Sequence, residues 1–317
     1  MPCRIALLSL LGISLFAQAP PPPSTEEQAA KLHQLINDSP RLNLEETAFK
    51  VQVPSPETVT DYISSAIANA DGTTYILHRN PRLDPVLLLD GQGHVLKSWG
   101  KGLFVRPHSI RRDPEGNIWT VDSRSSAVTK FTPDGEQLLQ FKVGLPTEGR
   151  PRGAADITFA AGGRIFVADG YGNARVLEYN AQGEKVREWG SHGIKPGQFN
   201  LVHGIAAREG VLYVADRKNG RIQRFDLDGR YLGEWDRFGE TLAISTGPNG
   251  YIWLGTQPRN APDDAGGWIV KVDPETEEIL GYFETPGIHS LDITQTGEVV
   301  TGSRLRPDEV FWFRPTP

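Results

Sequence analysis

From Tyr62 onward the chain alternates between short runs rich in Val, Ile, Leu and aromatic residues and turns carrying Gly, Asp, Asn or Pro. One unit runs from His108 through Asn117-Ile-Trp-Thr-Val-Asp122, then Ala127-Val-Thr-Lys-Phe131 and a turn at Asp134-Gly135. The next holds Ala155-Asp-Ile-Thr-Phe159, Gly163-Arg-Ile-Phe-Val-Ala-Asp169 and Arg175-Val-Leu-Glu-Tyr179, with a turn at Gly183. A third holds His203-Gly-Ile-Ala-Ala207, Val211-Leu-Tyr-Val-Ala-Asp216 and Arg221-Ile-Gln-Arg-Phe225, with Asp228-Gly229. Four short runs divided by Gly-containing turns predict a four-stranded antiparallel unit. A period of about forty to fifty residues with four strands each is the signature of propeller blades.

Units begin near Ser64, His108, Ala155, His203, Leu242 and His289, which predicts an all-β, six-bladed β-propeller over residues 45–317. The last unit stops early, at Phe311-Trp-Phe313, leaving room for only three strands. The alternating segment Thr47-Ala-Phe-Lys-Val-Gln-Val53 is therefore expected to supply the missing outer strand and close the ring. Closure removes the unpaired edges that an open sheet would expose. Ahead of it, Ser24 and Glu27 form a capping-box pattern before a helix over 26–37, with Ala30, Leu32, Leu35 and Ile36 as its apolar face.

Composition agrees with this architecture, since 34 Gly and 24 Pro in 317 residues leave little room for long helices. A net charge of −6 without a basic block argues against a nucleic-acid partner. Arg4, the apolar run Ala6 to Phe16 and Ala17-Gln-Ala19 read as an export signal over residues 1–19, with an uncleaved anchor as the competing reading. Residues 20–44 are then a proline-rich linker and the helix. Removing the signal removes Cys3, the chain's one cysteine, and with it any disulfide and any membrane span. A secreted or periplasmic monomer is expected.

Candidate chemistry comes from one repeat column. Aligned on Asp122, Asp169, Asp216 and Ser303, the blades carry His108, Ala155, His203 and His289 thirteen or fourteen residues earlier; His203 is one residue nearer, read as one lost turn residue. Ser64 and Leu242 fill the column in the first and fifth blades, so histidine occupies alternate blades. Such blades are related by rotations near 120°, which turns three imidazoles toward the channel axis from the start of the inner strands. Three neutral histidines with an open fourth position are the ligand set of catalytic Zn²⁺, whereas hard cations prefer oxygen. The competing reading is three channel-lining histidines bonded to backbone or water.

Tyr171, in Asp169-Gly-Tyr-Gly-Asn173, lies in a glycine-flanked loop that can bring its hydroxyl toward the axis. A phenol near a divalent cation loses its proton more readily and suits a general base. Arg79 and Arg217 occupy neighbouring places in the first and fourth blades and suit a carboxylate-bearing small-molecule or peptide substrate; the competing reading for each is an ion pair with a blade-end Asp. Asp122, Asp169 and Asp216, with Arg175 and Arg221, recur by register and are read as structural ties.

The Val/Ile-Ala-Asp, Asn-x-Arg-Ile/Val and x-Phe-Asp patterns resemble NHL repeats. Pro107-His-Ser-Ile110, Val167-Ala-Asp-Gly-Tyr-Gly-Asn-Ala-Arg175, Pro196-Gly-Gln-Phe199 and Val214-Ala-Asp-Arg-Lys-Asn-Gly-Arg-Ile-Gln223 further resemble the catalytic core of peptidyl-α-hydroxyglycine α-amidating lyases. The resemblance covers roughly residues 60 to 315. It implies Zn²⁺ on His108, His203 and His289, Tyr171 as the base that deprotonates a peptidyl α-hydroxyglycine, and Arg79 and Arg217 on its carboxylate. C–N cleavage then releases a peptide amide and glyoxylate. The family often places Asp after the third histidine, where it helps bind a structural Ca²⁺; Ser290 stands there and counts against that ion. Animal members also carry loop disulfides that a cysteine-free mature chain lacks. A non-enzymatic NHL propeller that binds protein or carbohydrate is the alternative function.

Overall fold

The alternating runs fold into six four-stranded antiparallel sheets. The computed structural model describes residues 24–53, 62–144, 153–262, 265–302 and 305–316. The export signal, the four prolines and Ser303, used above to align the last blade, lie outside them. The second blade shows the plan: Pro107–Arg112 innermost, then Ile118–Asp122, Ala127–Phe131 and Gln137–Lys142 at the rim. Ile118–Asp122 is buried throughout, whereas Gln137–Lys142 alternates between exposed and half-buried positions. The reason is position. A middle strand is covered on both faces by neighbouring blades and reads as continuous apolar sequence, while the rim strand meets water. Trp119, Val121 and Val128 of the second blade thus pack against Ile157, Val167 and Tyr179 of the third.

The ring closes through its N-terminal strand. Asp292–Ile293, Val299–Gly302 and Glu309–Pro315 form three strands of the sixth blade, and Leu44–Lys50 is the fourth. Pairing runs antiparallel from Leu44 opposite Pro315 to Lys50 opposite Glu309. The expected segment, 47–53, is thus displaced toward the N-terminus. Its last residues cross to the first blade instead, where Gln52 bridges to His94.

The helix spans Thr25–Asn37 and carries the reciprocal cap: Glu27 N donates to Ser24 Oγ at 3.2 Å, and Ser24 N donates to Glu27 Oε2 at 2.6 Å. Its inner face departs from the expected one. Leu32 and Ile36 are buried against Trp235 and Phe238, and Leu35 is half-buried, but Ala30 is exposed. Gln28 takes the buried place, because positions 28, 32 and 36 form one row at four-residue spacing. Its amide oxygen accepts from Arg259 Nη1 at 2.9 Å. Among the described residues no helix is long and apolar enough to cross a membrane.

The blade-end carboxylates are ties. Asp216 accepts from Arg221 Nε at 2.8 Å and from Asn200 N at 2.6 Å, fastening the preceding connection to the blade. Asp169 accepts from Arg175 Nε at 2.8 Å.

Candidate metal centre

The histidine column coincides with a break in strand pairing. In five inner strands the register shifts between Ile63 and Ser65, Pro107 and Ser109, Ala154 and Asp156, Val202 and Ile205, and Thr241 and Ala243. The bypassed residues include Ser64, His108, Ala155, His203 and Leu242, the column itself. A β-bulge leaves its extra residue out of the ladder and re-aims the side chain. The sixth blade differs. Its inner strand starts only at Asp292, so His289 stands on irregular chain before it rather than opening the strand. The shorter spacing at His203 also has another cause than one lost turn residue. Arg208 pairs with Val211, leaving a two-residue turn where the second blade has five between Arg112 and Ile118. Gly204 and Ala215, both bypassed, restore two of the three residues lost.

His108, His203 and His289 meet at the axis. Their candidate ligand atoms lie within 4.8 Å of one another, and the ring centroids stand 4.8 to 5.1 Å apart. Each ring is oriented by the next blade. His108 Nδ1 donates to Ala155 O at 2.6 Å, His203 Nδ1 to Leu242 O at 2.6 Å, and His289 Nδ1 to Ser64 O at 3.0 Å. All six column residues therefore build the centre, three with imidazoles and three with carbonyls. A carbonyl only accepts, so each Nδ1 carries the proton and each Nε2 keeps its lone pair for the axis. Burial, with His203 and Arg79 nearby, pushes the His108 imidazole well below its usual range and holds it neutral.

Tyr171 stands over two of these rings. Its Oη lies 2.7 Å from His108 Nε2 and 2.8 Å from His203 Nε2. One hydroxyl proton cannot serve two lone pairs, so the cluster is rich in electron pairs and suits a cation. Neutral imidazoles without a carboxylate among them match a borderline-soft ion such as Zn²⁺ better than Ca²⁺ or Mg²⁺.

Gly170 fixes the loop that carries this tyrosine. A β-carbon there would meet Val202 O at 1.9 Å and Val202 N at 2.4 Å, one residue before His203. The backbone of Tyr171 is tied to Gly153 O at 3.2 Å. Gly170→Ala is expected to cost about 1–3 kcal/mol through this backbone clash. The thermal midpoint would fall by several degrees, and an unchanged midpoint would show that the loop yields freely.

Arg79 lies beside His108. Its Nε donates to Pro107 O at 2.9 Å, and its guanidinium stacks 4.6 Å above the Tyr62 ring. Tyr62, passed over in the sequence, is buried, meets His289 edge-on at 5.3 Å, and holds φ at 114°. A non-glycine residue in that region is strained and persists only where its surroundings impose it. No residue-type pattern marks such a position in advance.

Arg217 is also buried and, among the described residues, pairs with Glu240 rather than with a blade-end Asp. Arg217 Nε bonds Glu240 Oε2 at 3.2 Å, and Lys218 Nζ reaches the same carboxylate at 2.9 Å. Glu240 is wholly buried at the head of the fifth blade's inner strand, two residues before the column. That offset was the available signal for it.

Residues 199–225 match the NHL repeat family. The chain is 34% identical over 184 residues to peptidyl-glycine alpha-amidating monooxygenase A of Xenopus laevis, covering 53% of this chain and 20% of that protein. It is 28% identical over 274 residues to peptidyl-alpha-hydroxyglycine alpha-amidating lyase 1 of Drosophila melanogaster, covering 74% and 50%. A probable lyase of the same name from Caenorhabditis elegans is 29% identical over 160 residues, covering 48% and 45%. These fly and worm relatives are named amidating lyases. The match thus spans from a fifth to a half of these amidating enzymes' own lengths. A streptogramin B lyase structure superposes with TM-score 0.60 at 14% identity, covering 86% of this chain and 98% of that one, which shows a shared fold.

Proposed function

We propose that the protein is a zinc-dependent carbon–nitrogen lyase acting on a peptidyl α-hydroxyglycine or a related α-hydroxy amide that ends in a carboxylate. The observation that carries this reading is the Tyr171 hydroxyl set between two carbonyl-oriented imidazoles. The amidating-lyase relatives supply the substrate class.

His108, His203 and His289 would hold Zn²⁺ through Nε2, where it would act as a Lewis acid and make a neighbouring hydroxyl more acidic. Tyr171 Oη would take the hydroxyl proton of the substrate. As that O–H bond breaks, its electron pair forms the aldehyde C=O of glyoxylate and the Cα–N bond breaks. The departing amide nitrogen then picks up a proton, so the reaction consumes no water. Arg79 would hold the substrate carboxylate, positioned by Tyr62 and Pro107 O. Arg217 and Lys218 both contact the buried Glu240, which would fix their place at the head of the fifth blade.

Purified protein is expected to carry about one Zn²⁺ per chain by elemental analysis and to release glyoxylate from α-hydroxyhippurate. Metal-free protein would sink the lyase reading. Zinc without glyoxylate release would keep the centre and reject the substrate.

A further inference from the structure

Below the three imidazoles the channel is closed by an arginine. Arg111, on the second blade's inner strand, reaches across the axis to three other blades. Its Nε donates to Asp156 Oδ1 at 2.9 Å and its Nη2 to Asp156 Oδ2 at 2.6 Å, a two-pronged pair with the third blade. Nη1 donates to Leu291 O of the sixth blade at 2.9 Å, and Nη2 approaches Ile244 O of the fifth at 3.4 Å. The pair is largely withdrawn from water, with side-chain exposures of 14% for Arg111 and 6% for Asp156.

Asp156 is saturated by its surroundings. Ser109 Oγ donates to Oδ1 at 2.6 Å, and Ile205 N to Oδ2 at 3.4 Å. A second carboxylate, Asp292, accepts from Ala68 N at 2.9 Å and attracts Arg111 electrostatically. Arg111 and Ser290 line one small cavity with the three histidines. A divalent cation there would need carboxylates free of a competing cation. The donors present do not fit Ca²⁺, because a fixed positive charge already engages them.

We propose that the Arg111 guanidinium is the structural cation of the propeller axis, filling the role of a divalent ion beneath the histidine cluster and tying four blades together. Its planar fork matches a carboxylate and two carbonyls at once, which an ammonium group cannot do. Because the charge is covalently part of the chain, axial stability is independent of Ca²⁺. The plug also leaves the Tyr171 side as the approach to the histidines. The inference rests on the channel below the histidines and stands whether or not the lyase reading does.

The test is thermal unfolding of the full mature chain with EGTA or with millimolar CaCl₂. The wild-type midpoint is expected to be the same in both. Arg111→Met leaves Asp156 buried without its partner, and the midpoint in EGTA should fall by about 5–10 °C. Ca²⁺ should then recover part of the loss. Arg111→Lys keeps the charge but loses the fork, so it should fall less and stay indifferent to Ca²⁺, and it decides the matter if Arg111→Met does not fold. A wild-type midpoint that climbs with Ca²⁺ overturns the proposal. So does an Arg111→Met protein that melts like wild type or folds but ignores Ca²⁺, or an Arg111→Lys protein that gains from Ca²⁺.

Discussion

Replacing His203 with alanine is expected to strip the protein of bound metal and lower glyoxylate release by at least about a thousandfold. The three rings are held as a set, each Nδ1 fixed by the carbonyl of the following blade, so the remaining two cannot swing to close the gap. Two imidazoles alone make a poor site for an ion that wants three protein ligands and an open place. The fold should survive, because the lost ring sits on a bulge outside the strand ladder and leaves the pairing of Val202 with Asp216 and Ile205 with Val214 in place. Elemental analysis, a melting curve and a glyoxylate assay on the same preparation check all three statements. His192→Ala, at an exposed position, is the control that should change none of them. An H203A protein that keeps both zinc and activity would remove the centre from the mechanism.

Tyr171→Phe should behave differently. It deletes one oxygen that lies 2.7 and 2.8 Å from two ring nitrogens and leaves all three imidazoles and their carbonyl partners intact. Metal content should therefore be retained while kcat drops by about 10²–10⁴, the usual range for removing a general base. KM should move little, because the carboxylate contacts assigned to Arg79 lie elsewhere. This split distinguishes a proton-transfer role from a packing role, which would alter metal content or the melting midpoint instead. Unchanged kcat would show that the phenol only caps the cluster.

Much of this was legible because a propeller repeats its chemistry as it repeats its strands. Once four short runs recur, any residue type that returns at one offset returns to one radius and one height, so His108, His203 and His289 could be placed on a common axis by counting. Asp169 and Asp216 were likewise readable as ties, since they recur next to Arg175 and Arg221. The helix cap at Ser24 and Glu27 followed from local hydrogen-bond chemistry alone.

Other features depend on what neighbouring blades present to one another. Glu240 meets Arg217 across a blade boundary, and Arg111 spans the channel to Asp156, Leu291 and Ile244. In one dimension Glu240 is marked only by its offset from the column, and no repeat spacing links Arg217 or Arg111 to these partners. Gln28 replaced Ala30 on the buried face of the helix because Arg259 supplied a partner for its amide. Thr47 to Val53 overshot its pairing because the first blade competes for Gln52.

The amino-acid sequence by itself determined six four-stranded blades, a ring closed by the N-terminal strand, and three histidines in alternate repeats, because hydrophobic alternation and repeat register are one-dimensional properties. The tertiary structure decided that five of the six column positions are bulges, that Ser64, Ala155 and Leu242 orient the histidines through carbonyls, and that Arg111 seals the axis below them. Those contacts join residues tens to hundreds of positions apart, and only closure of the ring brings them within hydrogen-bonding reach.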